Sequence, residues 1–267
     1  MNKTQNLIRN TLGCALLIAM SGAAADADKI TVEETTSWWQ WALDIPSSVH
    51  PLSLKPTIDP TGKDYCMVGQ QGGVWNLGGI FKVVDPIPDA AVAAVAETSE
   101  LEPFVVERVC RIPLGQEILI PVLNVECNTA EEIALGNLDP DASLGEKITY
   151  LREDCAKAIA DLITEHEASF GPEGGDLKAL DVARVASKQA FQVTFSPDNI
   201  LSSEDFFQYP EPNPSLAQVD GYWAKVKPKK TGNYVLKTYG AVPAFDFALD
   251  ITYQIEVVVE GSDSIFE

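Results

Sequence analysis

Four of the five cysteines (Cys14 lies in the expected signal peptide), two histidines, three clustered tryptophans and an acid-rich turn are the residues whose chemistry has to be weighed first. Cys66, Cys110, Cys127 and Cys155 stand far apart, with no Cys-x-x-Cys pair and no neighbouring histidine. That spacing does not describe a zinc site. In an exported chain an even set reads instead as two disulfides, for which four cysteines allow three pairings. The sequential one, Cys66–Cys110 with Cys127–Cys155, is the expectation.

His50 lies in a Pro/Ser stretch, and His166 in Glu165-His166-Glu167. A helical zinc-protease motif would need a second histidine at position 170, which is Phe. His166 is expected at a helix C-terminus, where the dipole favours it. There is no Gly-x-Ser-x-Gly elbow, and Gly69-Gln70-Gln71-Gly72-Gly73 precedes a strand, so it reads as a turn and not a phosphate loop. Carboxylate chemistry of the glycosidase kind needs two acids a few ångströms apart. With 39 acidic residues the sequence cannot pick the pair, although Glu126 and Asp198 adjoin structured blocks.

Two ligand readings remain. Asn137-Leu138-Asp139-Pro140-Asp141-Ala142-Ser143 offers side-chain oxygens at alternate positions, as Ca²⁺ loops do. Asp139 and Asp141 would be the ligands. The EF-hand pattern fails, since position six would be Leu144 and position twelve Tyr150, and a loop leading into a capped helix explains the same residues. Ca²⁺ is the one cofactor the sequence leaves open. Trp38, Trp39 and Trp41 cannot all face one core from a short element. At least one is expected to be partly exposed, where its face would stack on a sugar or dock a partner. The alternative is that they pin the N-terminal segment to the body.

The elements that would position these residues are mostly strands. Residues 1–25 read as a signal peptide, with Lys3 and Arg9, an apolar run from Thr11 to Met20 and small residues to Ala25. The run is too short for a membrane span, which takes about 20 residues, and no later stretch qualifies. The leader takes two of the 19 Lys and Arg and none of the 39 Asp and Glu, leaving 17 against 39, a formal charge of −22. Nucleic acid and other polyanions are therefore poor partners. A secreted or periplasmic location follows.

Ser37 is the expected cap of a short helix ending before Pro46. Strands are expected at 73–83, 105–112, 117–125, 191–195, 221–226, 233–239 and 248–259, with Pro121 marking an edge or a bulge. Residues 85–103 form an Ala- and acid-rich surface insertion. One long helix is expected over 143–169, opened by the Ser143/Glu146 capping box and stopped by Gly171-Pro172. The expected architecture is a single mainly-β domain over 26–267, an antiparallel sandwich or jelly roll with that helix packed on it.

Several blocks carry a resemblance: the Trp38-Trp39-Gln40-Trp41-Ala42-Leu43 opening, Cys66 to Trp75 with Gly69-Gln70, and Arg108 to Cys127 with Ile112-Pro113-x-Gly115. Phe191 to Ile200 and Asp220-Gly221-Tyr222-Trp223 complete the set. Together they resemble a family of secreted bacterial and archaeal proteins of unassigned function. The resemblance implies export and β structure and carries no mechanism. The leading expectation is an exported non-enzymatic module that binds a glycan or a cell-surface protein. A secreted carboxylate-dependent hydrolase and a structural envelope or assembly subunit are the alternatives.

Overall fold

A computed structural model describes residues 29–52, 66–80, 101–203 and 212–259. The expected signal peptide and residues 85–100 of the expected insertion lie outside the described residues. The strands, in chain order, are β1 (Val74–Asn76), β2 (Phe104–Pro113), β3 (Glu117–Asn128), β4 (Glu165–Pro172), β5 (Lys178–Ala179), β6 (Ala183–Arg184), β7 (Phe191–Val193), β8 (Ser215–Val226), β9 (Gly232–Val242) and β10 (Phe247–Val258). They form two five-stranded sheets. One runs β1-β3-β8-β6 with β7 also on β8, the other β2-β10-β9-β4-β5.

The second sheet shows how the sequence chooses its faces. In β10, Leu249, Ile251, Tyr253, Ile255 and Val257 are buried, and the polar residues between them point outward. That period of two puts one face on the core and one in water. β3 reads differently, because Ile118 to Val122 are buried without a break. It is covered on both sides: Ile118, Ile120 and Val122 meet the second sheet, and Leu119 meets the N-terminal helix. A continuous apolar run is what two-sided burial demands.

Neither sheet is purely antiparallel, which corrects the expected sandwich. β1 lies parallel to β3, and β2 parallel to β10 over its whole length. β2 and β3 are joined by a short turn through Gly115, at φ +97°, but they enter opposite sheets instead of pairing with each other. Pro121 behaves as its chemistry requires. The β3–β8 register shifts between Pro121 and Leu123, a bulge at the residue that cannot donate a ladder hydrogen bond.

Helix α1 spans Val32–Asp44 and starts earlier than expected. Thr31, not Ser37, is its cap, in a capping box with Glu34. It ends before Pro46 as expected. Next comes the short α2, Thr129–Ala134. The long helix is shorter than expected. Ser143 and Glu146 do form the capping box; Leu144–Thr149 is α-helical, Tyr150–Lys157 π-helical, and Ala158–Ala160 α-helical again. We call the three together α3. The stretch from 165 to 172 is a strand. Glu165 and Glu167 point outward there while His166 and Ala168 turn inward, and the segment pairs with β9. A period of two had been hidden inside an apparent helical repeat.

Both disulfides form in the expected pairing, with Cα separations of 5.5 Å for Cys66–Cys110 and 6.2 Å for Cys127–Cys155. The first ties the segment before β1 to β2, and the second ties the end of β3 to the π-helical turn of α3. By loop closure each contributes about 4 kcal/mol. No helix among the described residues is long and apolar enough to cross a membrane.

Candidate functional site

The tryptophans do not make a surface. Trp38, Trp39 and Trp41 are 3%, 6% and 9% exposed, so the expectation of a partly exposed aromatic face is overturned. On a helix these positions spread around the axis, but α1 is enclosed from several directions. Trp38 stands edge-on to Trp223 of β8, centroids 5.5 Å apart, and donates Nε1–H to the Leu77 carbonyl. Trp41 donates to the Val68 carbonyl at 3.0 Å. Gly69 covers it at φ +68°, where a Cβ would come within 2.9 Å of the Trp41 Nε1. Gln70 then clamps the following turn through the Cys66 carbonyl and both backbone groups of Asn76. Gly69-Gln70 is thus a packing device.

Asp139 and Asp141 are exposed. Asp139 Oδ1 accepts the Asp141 amide at 2.8 Å, a turn that leads into Ser143 and α3. No third carboxylate, imidazole or thiol converges with them among the described residues. His50 is buried, taking the Leu52 amide on Nδ1 and reaching the Ala42 carbonyl with Nε2. Burial lowers its pKa to about 4, against the raising effect of the Ala42 bond. It locks the segment after α1 onto that helix. His166 is on β4, stacked 3.7 Å from the Tyr222 ring, so a helix dipole does not explain it. Asp198 accepts from the Ser47 hydroxyl and the Ser48 amide and caps a turn.

At the end of β3, Glu126, noted in the sequence only as an acid beside a structured block, joins Glu131 and Glu132, which the sequence did not single out. Glu126, Cys127 and Asn128 close the strand, and Asn128 caps α2, its Oδ1 accepting the Glu131 amide at 2.9 Å. That cap folds Glu131 and Glu132 back over the strand end. The Asn128 amide donates to Glu126 Oε2 at 3.2 Å and to the Glu131 carboxyl. The Asn128 amide thus holds the two carboxyls near each other. Burial first, and then the charge of Glu132, push Glu131 up to about 8. Burial and the charge of Glu131 hold Glu126 well above the usual carboxylate range.

Glu132, 7% exposed, has its own partners. Its Oε2 accepts from the Tyr150 hydroxyl at 2.9 Å and from Asn137 at 3.1 Å, and its Oε1 lies 3.4 Å from Cys155 Sγ. Burial and the Glu132 bond raise the Tyr150 pKa. Cys127, Glu132 and Cys155 converge as metal ligands would. Both sulfurs are spent in the disulfide and carry no thiolate charge, so the group is a poor metal site. Among the described residues no Lys, Arg or His forms an ion pair with Glu126, Glu131 or Glu132.

These carboxyls border a partly open cavity of about 160 Å³ between the sheets. Its walls are apolar: Val122 and Leu123 of β3, Val242, Phe247 and Ile251 of the facing sheet, and Ile159 of α3. Glu126 and Asn124 are among its lining residues, but Glu126 Oε1 and Asn124 Oδ1 are closed off from it, buried with no hydrogen-bond partner among the described residues. The arrangement is an apolar slot with carboxyl and amide groups at one end. The place of Glu126 beside a structured block and the Asn128-x-x-Glu131 cap spacing were its traces in the sequence.

No family model and no curated protein matches the sequence. Among solved structures the chain is similar to one from "Structure of PbICP-C in complex with falcipain-2", at 12% identity over 70% of this chain and 100% of that chain, with a TM-score of 0.20. At that score the likeness carries no argument.

Proposed function

We propose that the mature chain is an exported, disulfide-stabilised binding module that takes a small apolar group into the inter-sheet cavity. The observation that carries this reading is the cavity itself, apolar along its walls and polar at one end. Protein interiors leave few voids larger than a water molecule. An engineered apolar cavity of about 150 Å³ is large enough to hold benzene, so the slot matches one ring or a short alkyl chain. A glycan stacked on Trp38, Trp39 or Trp41 has no exposed face to use. The two disulfides and the leader-like N-terminus support export.

The test is a thermal-shift and tryptophan-fluorescence survey of the mature protein with toluene, indole, short alkanes and a set of sugars. A ligand of the folded state raises its melting point by mass action, by about 2.7 kcal/mol of stability at a hundredfold excess over Kd. A saturable shift with an apolar probe, lost when Leu135→Trp fills the slot from its edge, is the expected result. A shift with sugars alone, or none with any apolar probe, would sink the reading. The bonding of Glu126 and Glu131 to one Asn128 amide favours a second one, acid–base hydrolysis by a carboxyl pair. It demands turnover that is lost in both Glu126→Gln and Glu131→Gln.

A further inference from the structure

We infer that this cavity is a strand-addition site, in which the edge of β3 takes up a short extended segment of a partner polypeptide carrying small apolar side chains. The inference rests on the cavity's being a ligand site and names the class of ligand.

The lining is the first observation. Residues 121–127 border the cavity in unbroken succession. Side chains of a strand alternate between its two faces, so a void over one face touches every second residue. A void that touches all of them runs along the strand's edge. Burial agrees, since Leu123, Asn124, Val125 and Glu126 are all partly exposed, in contrast to the buried run before them. The slot accordingly has walls on both sides of the strand. Trp38 and Trp39 stand on the side of α1, and Phe247 and Ile251 on the facing sheet.

The backbone is the second. Val185 N–H donates to the Gly221 carbonyl, Ser187 N–H donates to the Val219 carbonyl, and Val219 N–H donates to Ser187 Oγ. Gly221 and Val219 thus turn their backbone groups away from β3. Opposite them in the antiparallel ladder stand Asn124 and Glu126. Facing residues in such a ladder either bond each other or both point outward, so Asn124 and Glu126 direct N–H and C=O to the far edge. β1 serves that edge only from Glu117 to Leu119. Leu77 N–H still reaches the Leu119 carbonyl, and then the chain departs, Gly78 against Pro51 and Gly79 against Ile251 of the other sheet. Among the described residues no backbone group bonds Asn124 or Glu126 from that side. Unpaired edge groups of this kind are what an added strand pairs with. The closed-off side-chain oxygens of the two residues play no part.

Size and charge choose the occupant. The open edge is a few residues long and lies in a groove, and the cavity's volume of about 160 Å³ limits the incoming side chains to the size of alanine or valine. A stable dimer buries about 1,200 Å² or more, beyond what such an edge offers. The acidic excess, 39 Asp and Glu against 19 Lys and Arg, also sets two copies against each other. A short segment of a different chain, extended and not acidic, fits both limits.

The experiment uses the disulfide-intact mature protein and the peptide acetyl-Lys-Ala-Val-Ala-Val-Lys-amide, with calorimetry for affinity and NMR hydrogen exchange for location. Saturating peptide should slow exchange of the Asn124 and Glu126 amides by about tenfold or more. The same peptide N-methylated at its four inner amides keeps its side chains and loses its donors, and its affinity should fall by about tenfold or more. Asn124→Pro removes an edge N–H that the β8 ladder does not use and should weaken the unmethylated peptide, with the melting curve showing that the variant is folded. If that variant fails to fold, exchange and the methylated peptide decide on the parent alone. A methylated peptide that binds equally well would overturn the inference, as would binding that leaves the Asn124 and Glu126 amides unprotected. So would a parent that runs as a dimer with those amides already protected, which assigns the edge to a second copy. Edge protection by the peptide upholds the inference whether or not toluene binds. Toluene bound without the peptide overturns it and leaves the cavity reading standing. If neither binds, both fall together.

Discussion

Two buried clusters adjoin β3, and they solve the problem of buried polar atoms in opposite ways. On the outer face of its sheet, α1 sets Trp38, Trp39 and Trp41 against Trp223, and the indole N–H groups of Trp38 and Trp41 find backbone carbonyls. At the strand's far end, Glu126 and Glu131 stand beside a void with no ion pair among the described residues. The first arrangement gathers large apolar area and leaves Trp223 Nε1 as a buried group without a hydrogen-bond partner among the described residues. The second forgoes packing and accepts a charge penalty. A protein gives up stability in that way where something else is to be accommodated, and sites commonly show it as shifted ionisation. The tryptophans serve as frame, with Trp38 and Trp39 also bordering the cavity that the carboxyls border.

Removing a frame tryptophan should do the most damage. Trp41→Ala takes a buried indole away from the cover formed by Val68 and Gly69 without opening the cavity, which Trp41 does not border. The expected cost is about 3–5 kcal/mol in urea denaturation. Apolar probes should still bind whatever fraction remains folded. If Trp41→Ala kept its stability and lost probe binding, the roles assigned to the two clusters would be reversed.

The clusters should also respond to pH with opposite signs. Glu131 has its folded pKa raised, to about 8, so between about 4.5 and 8 the folded state holds a proton that the unfolded chain has released. Stability is therefore lost as pH rises through that window, and the raised pKa of Glu126 adds to the loss. His50, which braces α1 through the Ala42 carbonyl, has its pKa lowered to about 4. The unfolded chain takes up that proton first, so stability is lost as pH falls from about 6.5 to 4. The two slopes oppose each other around pH 5–6, leaving a decline above neutrality. Glu131→Gln should flatten that decline and leave the variant about 1–3 kcal/mol more stable than the parent near pH 8.5. His50→Gln should leave the alkaline decline intact and remove the acid one. Denaturant midpoints measured across pH would check both, and a parent protein that gains stability up to pH 8 would break the comparison.

Much of the fold was legible because local rules carried it. The β10 alternation, the Pro121 bulge and the Ser143/Glu146 cap follow from residue type and spacing, whereas the cysteine pairing found is one of the three that the spacing left open. The parallel neighbours were not legible, since β2 and β10 are brought together by chain paths that no local pattern encodes. The 165–172 strand was missed because its alternation continues the apolar rhythm of α3. The tryptophans were expected partly at the surface and are buried, although Trp38 and Trp39 border the cavity. Of the three acids only Glu126 drew notice, since Glu131 and Glu132 are two among 39. Only the Asn128 turn, which folds two of them back onto the third, makes them different from the rest.

That claim has a control within the same chain, and it predicts the smallest effect. Asp139 and Asp141 are also close-set acids, and they lie a few residues further on, but they are exposed and already engaged in a turn. If burial and not acidity is what marks the carboxyl cluster, neutralising this pair should matter little. Asp139→Ala loses one exposed turn bond and should change stability by no more than about 0.5 kcal/mol. Ca²⁺ should leave the melting point of parent and variant alike. A Ca²⁺-induced rise in the parent that disappears in Asp139→Ala would move the binding site to this turn. It would also leave the buried carboxyls as a cost the fold carries for no ligand, which is the outcome most damaging to the contrast between frame and site.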